Sequence, residues 1–104
     1  MLGSASPVFS REMGFSESEW QRALATALAP FEWQTQGPHG VAVRWRDGGA
    51  SGELHLRWEV LPPRAIALAR IPRMRVDFDF GQTPAPVQTA FMRHFDLYTH
   101  RGGG

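Results

Sequence analysis

The sequence predicts an α+β fold: a two-layer sandwich in which an antiparallel meander of about four strands carries an N-terminal and a C-terminal helix on one face. Three observations predict it. Apolar residues recur at helical spacing near both ends of the 104-residue chain, they alternate with a period of two between those ends, and Gly/Pro clusters separate the alternating runs. There is no internal repeat and no strand-helix-strand unit, so a parallel sheet is not expected.

Residues 1–14 are polar, contain Gly and Ser and show no sustained period; they are expected to form a loosely ordered arm, docked through Val8 and Phe9. The first firm element follows. Ser16 can cap a helix with Glu19 reaching back to its amide, and Phe15 can staple onto Trp20. Trp20, Leu24, Ala27 and Leu28 then form one stripe until Pro30 disfavours α geometry at Ala29, which bounds the helix at about residues 17–29.

The period then changes to two. Phe31, Trp33 and Thr35 share one side of a short run that ends in the turn Gly37-Pro38-His39-Gly40, which predicts a hairpin. Val41, Val43 and Trp45 line one face of the next strand and Ala42, Arg44 and Arg46 the other, until Asp47 to Gly52 breaks it. Leu54, Leu56, Trp58 and Val60 alternate with Glu53, His55, Arg57 and Glu59, the pattern of a half-buried antiparallel strand. Pro62 and Pro63 end that strand, and residues 61–72 fit either an extended run or helical turns. Met74, Val76, Phe78 and Phe80 alternate with Arg75, Asp77 and Asp79 in the last strand, where Pro72 at the start suits an edge. Thr83 can cap a second helix with Pro84 at its first position and Val87, Phe91, His94 or Phe95, and Tyr98 on its stripe. Residues 101–104 are expected to form a flexible tail, with Gly102 ending the helix.

At this length the chain is expected to be a single domain, residues 1–104, and its 42% hydrophobic content is enough to build one core. Cysteine is absent, which excludes disulfides, thiolate metal sites and a thiol nucleophile, and fits a cytoplasmic location. Residues 1–10 lack the basic start and apolar run of a signal peptide, and no apolar stretch is long enough for a membrane span. All eleven basic residues are arginine, a bacterial-like composition that reflects a GC-rich coding background. Without lysine there is no Schiff-base chemistry and no ordinary phosphate-binding loop. A formal net charge of +1 gives no global field for nucleic acid or membrane, so any such case must be local.

Two surfaces are candidates. Arg64, Arg70, Arg73 and Arg75 fall in a twelve-residue stretch without an acid, interleaved with Ile66, Leu68 and Ile71. A strip of that kind can grip a phosphate backbone, an acidic protein surface or a lipid face, or can be a solvated connection. On the polar face of the meander, His55, Arg57, Asp77 and Asp79 would sit on neighbouring strands. They form either cross-strand ion pairs or a ligand-binding or acid-base site if a cleft covers them. His94 and His100 are six apart, on different sides of a helix, so no metal site is expected; no cofactor is called for either. Trp45, Trp58, Phe78 and Phe80 share the core register, which leaves the arginine side without a base-stacking platform and disfavours a sheet-face RNA binder. Gly103 and Gly104 resemble the diglycine tail of ubiquitin-like sulfur carriers, which would imply an activated C-terminal carboxylate. Those carriers place the tail after a β-grasp fold, whereas here a helix is expected to run almost into it.

No organised catalytic signature is found, so whether the chain is an enzyme stays open. The leading expectation is a binding or interaction module, with Arg64, Arg70, Arg73 and Arg75 as partner-binding residues and a protein as its partner. The alternative is a small-molecule-binding protein or small enzyme using His55, Arg57, Asp77 and Asp79. A homodimer through a sheet edge or the polar face is a further expectation.

Overall fold

The computed structural model describes residues 7–100. Residues 1–6 and the tail 101–104, including the diglycine, lie outside the described residues. In chain order the elements are β1 (Val8–Met13), α1 (Glu17–Leu28), β2 (Glu32–Thr35), β3 (Gly40–Asp47), β4 (Ala50–Ile66), β5 (Ala69–Asp79) and α2 (Ala85–Thr99). The strands form one antiparallel sheet in the order β1-β5-β4-β3-β2, with both helices on one face. This is the expected α+β sandwich with five strands in place of about four.

The added strand corrects the reading of residues 1–14 as a loose arm. Val8–Met13 pairs with β5 from Val8↔Asp79 to Met13↔Met74. Phe9, Arg11 and Met13 take the helix side and Ser10 and Glu12 the open side. Phe9 stacks on Phe78 with ring centroids 4.7 Å apart, which ties this segment to the core. The chain leaves β1 at one edge of the sheet, crosses it as α1 and enters β2 at the other edge. The three hairpins from β2 to β5 then return it to β1.

The α1 start is as the sequence dictates: the Glu19 amide donates to Ser16 Oγ, and the Ser16 amide donates to the Glu19 carboxylate at 2.9 Å. Its buried stripe is Trp20, Leu24, Ala27 and Leu28, and Phe15 meets Trp20 at 6.0 Å between centroids. The α2 start differs. Pro84 takes the N-cap position without a side-chain cap. Thr83 is buried and bonds strand β4 instead, its Oγ1 accepting from the Glu53 amide at 2.8 Å and donating to the Glu53 carbonyl at 2.9 Å. The stripe of α2 also rotates away from the expected one: Val87, Gln88, Phe91, Phe95 and Thr99 are buried, whereas Tyr98 is exposed.

The core is a layer of Val41, Val43, Leu54, Leu56, Met74, Val76, Phe78 and Phe80 under Trp20, Leu24, Leu28, Phe91 and Phe95. Burial of each such side chain contributes about 1.5–3 kcal/mol, and edge-on pairs such as Trp20–Trp58 at 5.5 Å add to it. His94 borders this core as expected, its Nε2 lying 2.7 Å from the Ala27 carbonyl and its ring meeting Phe31 edge-on.

The core ends before the sheet does. The alternation of Leu54, Leu56 and Trp58 continues to Val60, yet Val60 is exposed because no helix lies over it. Beyond it, β4 and β5 run on as a two-stranded arm to a two-residue turn at Ala67-Leu68, with Ile66 paired to Ala69. Residues 61–72, for which the sequence left extended and helical forms open, are this arm. Pro72 is tolerated in β5 because β1 has already stopped at the Met13↔Met74 pair, so its missing donor faces a free edge.

Candidate partner-binding surface

The arm carries the arginine strip. Its geometry depends on a bulge: Leu61 pairs with Arg73 but Arg64 pairs with Ile71, so Pro62 and Pro63 together oppose Pro72. The extra residue inverts the alternation of β4 beyond it. Arg64 is thereby moved to the open face of the ribbon, beside Arg73 and Ile71, while Arg70, opposite Ala65, takes the helix side.

The structure changes the electrostatics of the strip. Although its twelve residues hold no acid, three acids outside it meet its arginines, Glu12 on β1, Glu59 on β4 and Asp77 on β5. Glu12 on β1 accepts from Arg73 at 2.7 Å and from Arg64 at 3.3 Å. Hydrogen bonding from Arg73 holds the Glu12 carboxyl below its ordinary range, against an opposing effect of burial, and the same bond raises the Arg73 guanidinium further. Arg75 is taken by Glu59 at 3.1 Å and Asp77 at 3.4 Å, and lies on the body of the sheet rather than in the arm. Arg70 alone of the four has no ion pair among the described residues. The strip thus divides into a clamp that fixes the arm to β1 and one free cation.

Apolar residues dominate the tip. Leu68 is 103% exposed, Ile66 51% and Ile71 40%. Ala67 is the sole described non-glycine residue with positive φ, at 53°, so the turn holds an alanine in the left-handed region that favours glycine.

At the base of the arm, a cleft of about 720 Å³ opens on the helix side between the end of β1, the start of β5 and the end of α2. Met13, Phe15 and Pro72 give it an apolar floor; Arg70 and His100 stand at its wall. A second groove of about 640 Å³ continues along α2 over Phe9, Met92 and Leu97. Between them Arg11 makes a forked pair with Asp96, at 2.6 and 3.3 Å, with its guanidinium 5.7 Å from the Phe78 ring centroid. This pair pins α2 to β1.

No protein-family model matches the chain, and no curated protein matches it in sequence.

The second candidate cluster is brought together but not enclosed. His55 pairs with Asp79 and Arg57 with Asp77 across β4 and β5, so all four share the open face of the sheet. Their polar groups turn to neighbours: His55 Nδ1 lies 3.2 Å from Gln36 Oε1, Asp77 accepts from Ser10 at 2.6 Å, and Asp79 accepts from the Gly81 amide at 2.9 Å. The concavities of about 720 and 640 Å³ lie on the helix side and are lined by none of the four. His39, in the turn between β2 and β3, is exposed and its Nε2 lies 3.1 Å from Glu17. No group of three potential metal ligands occurs among the described residues, and none of their helices is long and apolar enough to cross a membrane.

Sequence reasoning missed Glu12, Arg11 and Asp96. A signal for the first two was present, since Phe9, Arg11 and Met13 alternate with Ser10 and Glu12 as in the other strands. The run is short and polar, so the alternation does not stand out.

Proposed function

We propose that this chain is an interaction module and that the β4–β5 arm is the element that engages its partner. The observation that carries this reading is the exposure of Ile66 and Leu68 at the end of a ribbon that contributes nothing to the core. An exposed apolar tip weakens solubility and adds no folding stability, so its usefulness lies in contact with another surface. The Glu12 clamp supports the same reading, because an arm fixed before binding loses less conformational entropy on docking. Arg64 and Arg70 stand behind the apolar tip as the charged rim of the contact, with Arg73 at the base of the arm.

The test is photo-crosslinking in the natural host with a benzophenone amino acid at position 68, compared with the same group at position 57 on the open sheet face. An adduct formed from 68 and absent from 57 is the expected result. The absence of any adduct from 68, in a protein that melts as wild type does, rejects the arm as the docking element.

A further inference from the structure

We infer that the surface engaged by the arm is an anionic lipid interface, entered tip first, with Ile66 and Leu68 among the upper acyl chains and Arg64 and Arg70 at the level of the headgroups. This rests on the arm being the docking element and names its partner.

The residues fall in layers along the ribbon. The end layer is the turn Ala67-Leu68 with the pair Ile66–Ala69, all without charge or a polar side-chain group. The next two pairs are Ala65–Arg70 and Arg64–Ile71. Successive pairs face opposite sides of a ribbon, so one arginine stands on each face directly behind the tip. At roughly 3.3 Å per residue, the turn lies about 7 Å beyond the Ala65–Arg70 pair. That distance matches the roughly 5–10 Å to which interfacial apolar segments enter a bilayer. A groove in a partner protein calls for an apolar side and a wet side on the ribbon, whereas a collar of charge on both faces suits upright entry into a plane of headgroups.

Charge agrees with this partner. Arg64 and Arg73 share the single carboxylate of Glu12, and Arg70 has no ion pair among the described residues, which leaves a cationic excess on the arm. Strand addition along the arm is the main alternative mode, and Pro62, Pro63 and Pro72 work against it by removing backbone donors from its length. A lipid interface requires no ladder.

The chain has no cysteine, so Leu68→Cys and, separately, Arg57→Cys each accept one environment-sensitive NBD label. The probe surface is a phosphatidylcholine vesicle containing about 30% phosphatidylserine, set against pure phosphatidylcholine. The label at 68 is expected to blue-shift and brighten with the anionic vesicles, while the label at 57 stays unchanged. Adding Arg70→Ser is expected to weaken the partition roughly fivefold, and raised salt to weaken it further. No response at 68, an equal response at 57, or an equal response to neutral vesicles overturns the inference. A protein crosslinked from position 68 together with silent vesicles rejects the lipid partner and leaves the docking arm standing; no crosslink at all removes both.

Discussion

Glu12 is a half-exposed carboxylate on a short edge strand, yet it holds two arginines that are 52 and 61 residues away in sequence. Because Arg73 lowers its pKa in the folded protein, its contribution to stability is complete above the ordinary value of 4.5 and is lost as the pH falls through the lower, folded value. Acidification below that range should therefore loosen the arm before the core. Hydrogen exchange of the amides at residues 61–73, corrected for intrinsic rates, is expected to accelerate on that descent, and Glu12→Gln should show the faster exchange at neutral pH without the pH step. Equal protection in both proteins at neutral pH would show that Glu12 does not hold the arm. Arg11 illustrates a different residue-scale role: its bond to Asp96 and its position over Phe9 and Phe78 join a strand to a helix across a surface that is otherwise open.

At the scale of elements, the hairpins are built differently. The β3–β4 turn uses Gly48, with φ 63°, where the left-handed conformation costs a glycine nothing. The β4–β5 turn uses Ala67 at φ 53°, which costs an alanine about 1 kcal/mol. Ala67→Gly is accordingly expected to leave stability unchanged or raise it by up to about 1 kcal/mol in a urea titration, despite the added chain entropy of glycine. A clear loss of stability would show that the alanine conformation is not strained. The bulge at Pro62-Pro63 is the second feature of the arm; without its extra residue, Arg64 and Arg73 would lie on opposite faces and could not share Glu12.

For the molecule as a whole, folding and docking are spatially separate. No residue from 59 to 73 belongs to the core cluster, whose nearest member on β5 is Met74. Leu61 and Arg73 are cross-strand partners, so Asn-Gly in place of residues 62–72 would close the hairpin with a tight turn. That protein is expected to keep its circular dichroism and a cooperative melt within a few degrees of wild type, while no longer sedimenting with anionic vesicles. Loss of cooperative folding would mean that the arm supports the core after all.

The sequence by itself determined the helix α1 with its capping box, the alternating strands β3 and β4, the core side of β5 and the antiparallel class of the sheet. Each of these rests on local chemistry: a cap three residues from its partner, or a period that holds over several residues. It also marked Arg64, Arg70 and Arg73, with Ile66, Leu68 and Ile71, as one segment of interest. Tertiary structure decided the rest. A pattern of alternation states which residues share a face, but not where the helices stop covering it; Trp58 is therefore buried and Val60, two residues on, is exposed. The same limit hid β1, whose partners on β5 lie more than sixty residues away in sequence, and the bulge, which changes the face of every later residue in β4. It also hid an acid that neutralises the arginine strip, because Glu12 meets Arg64 and Arg73 only when β1 is laid beside β5 at the edge of the sheet.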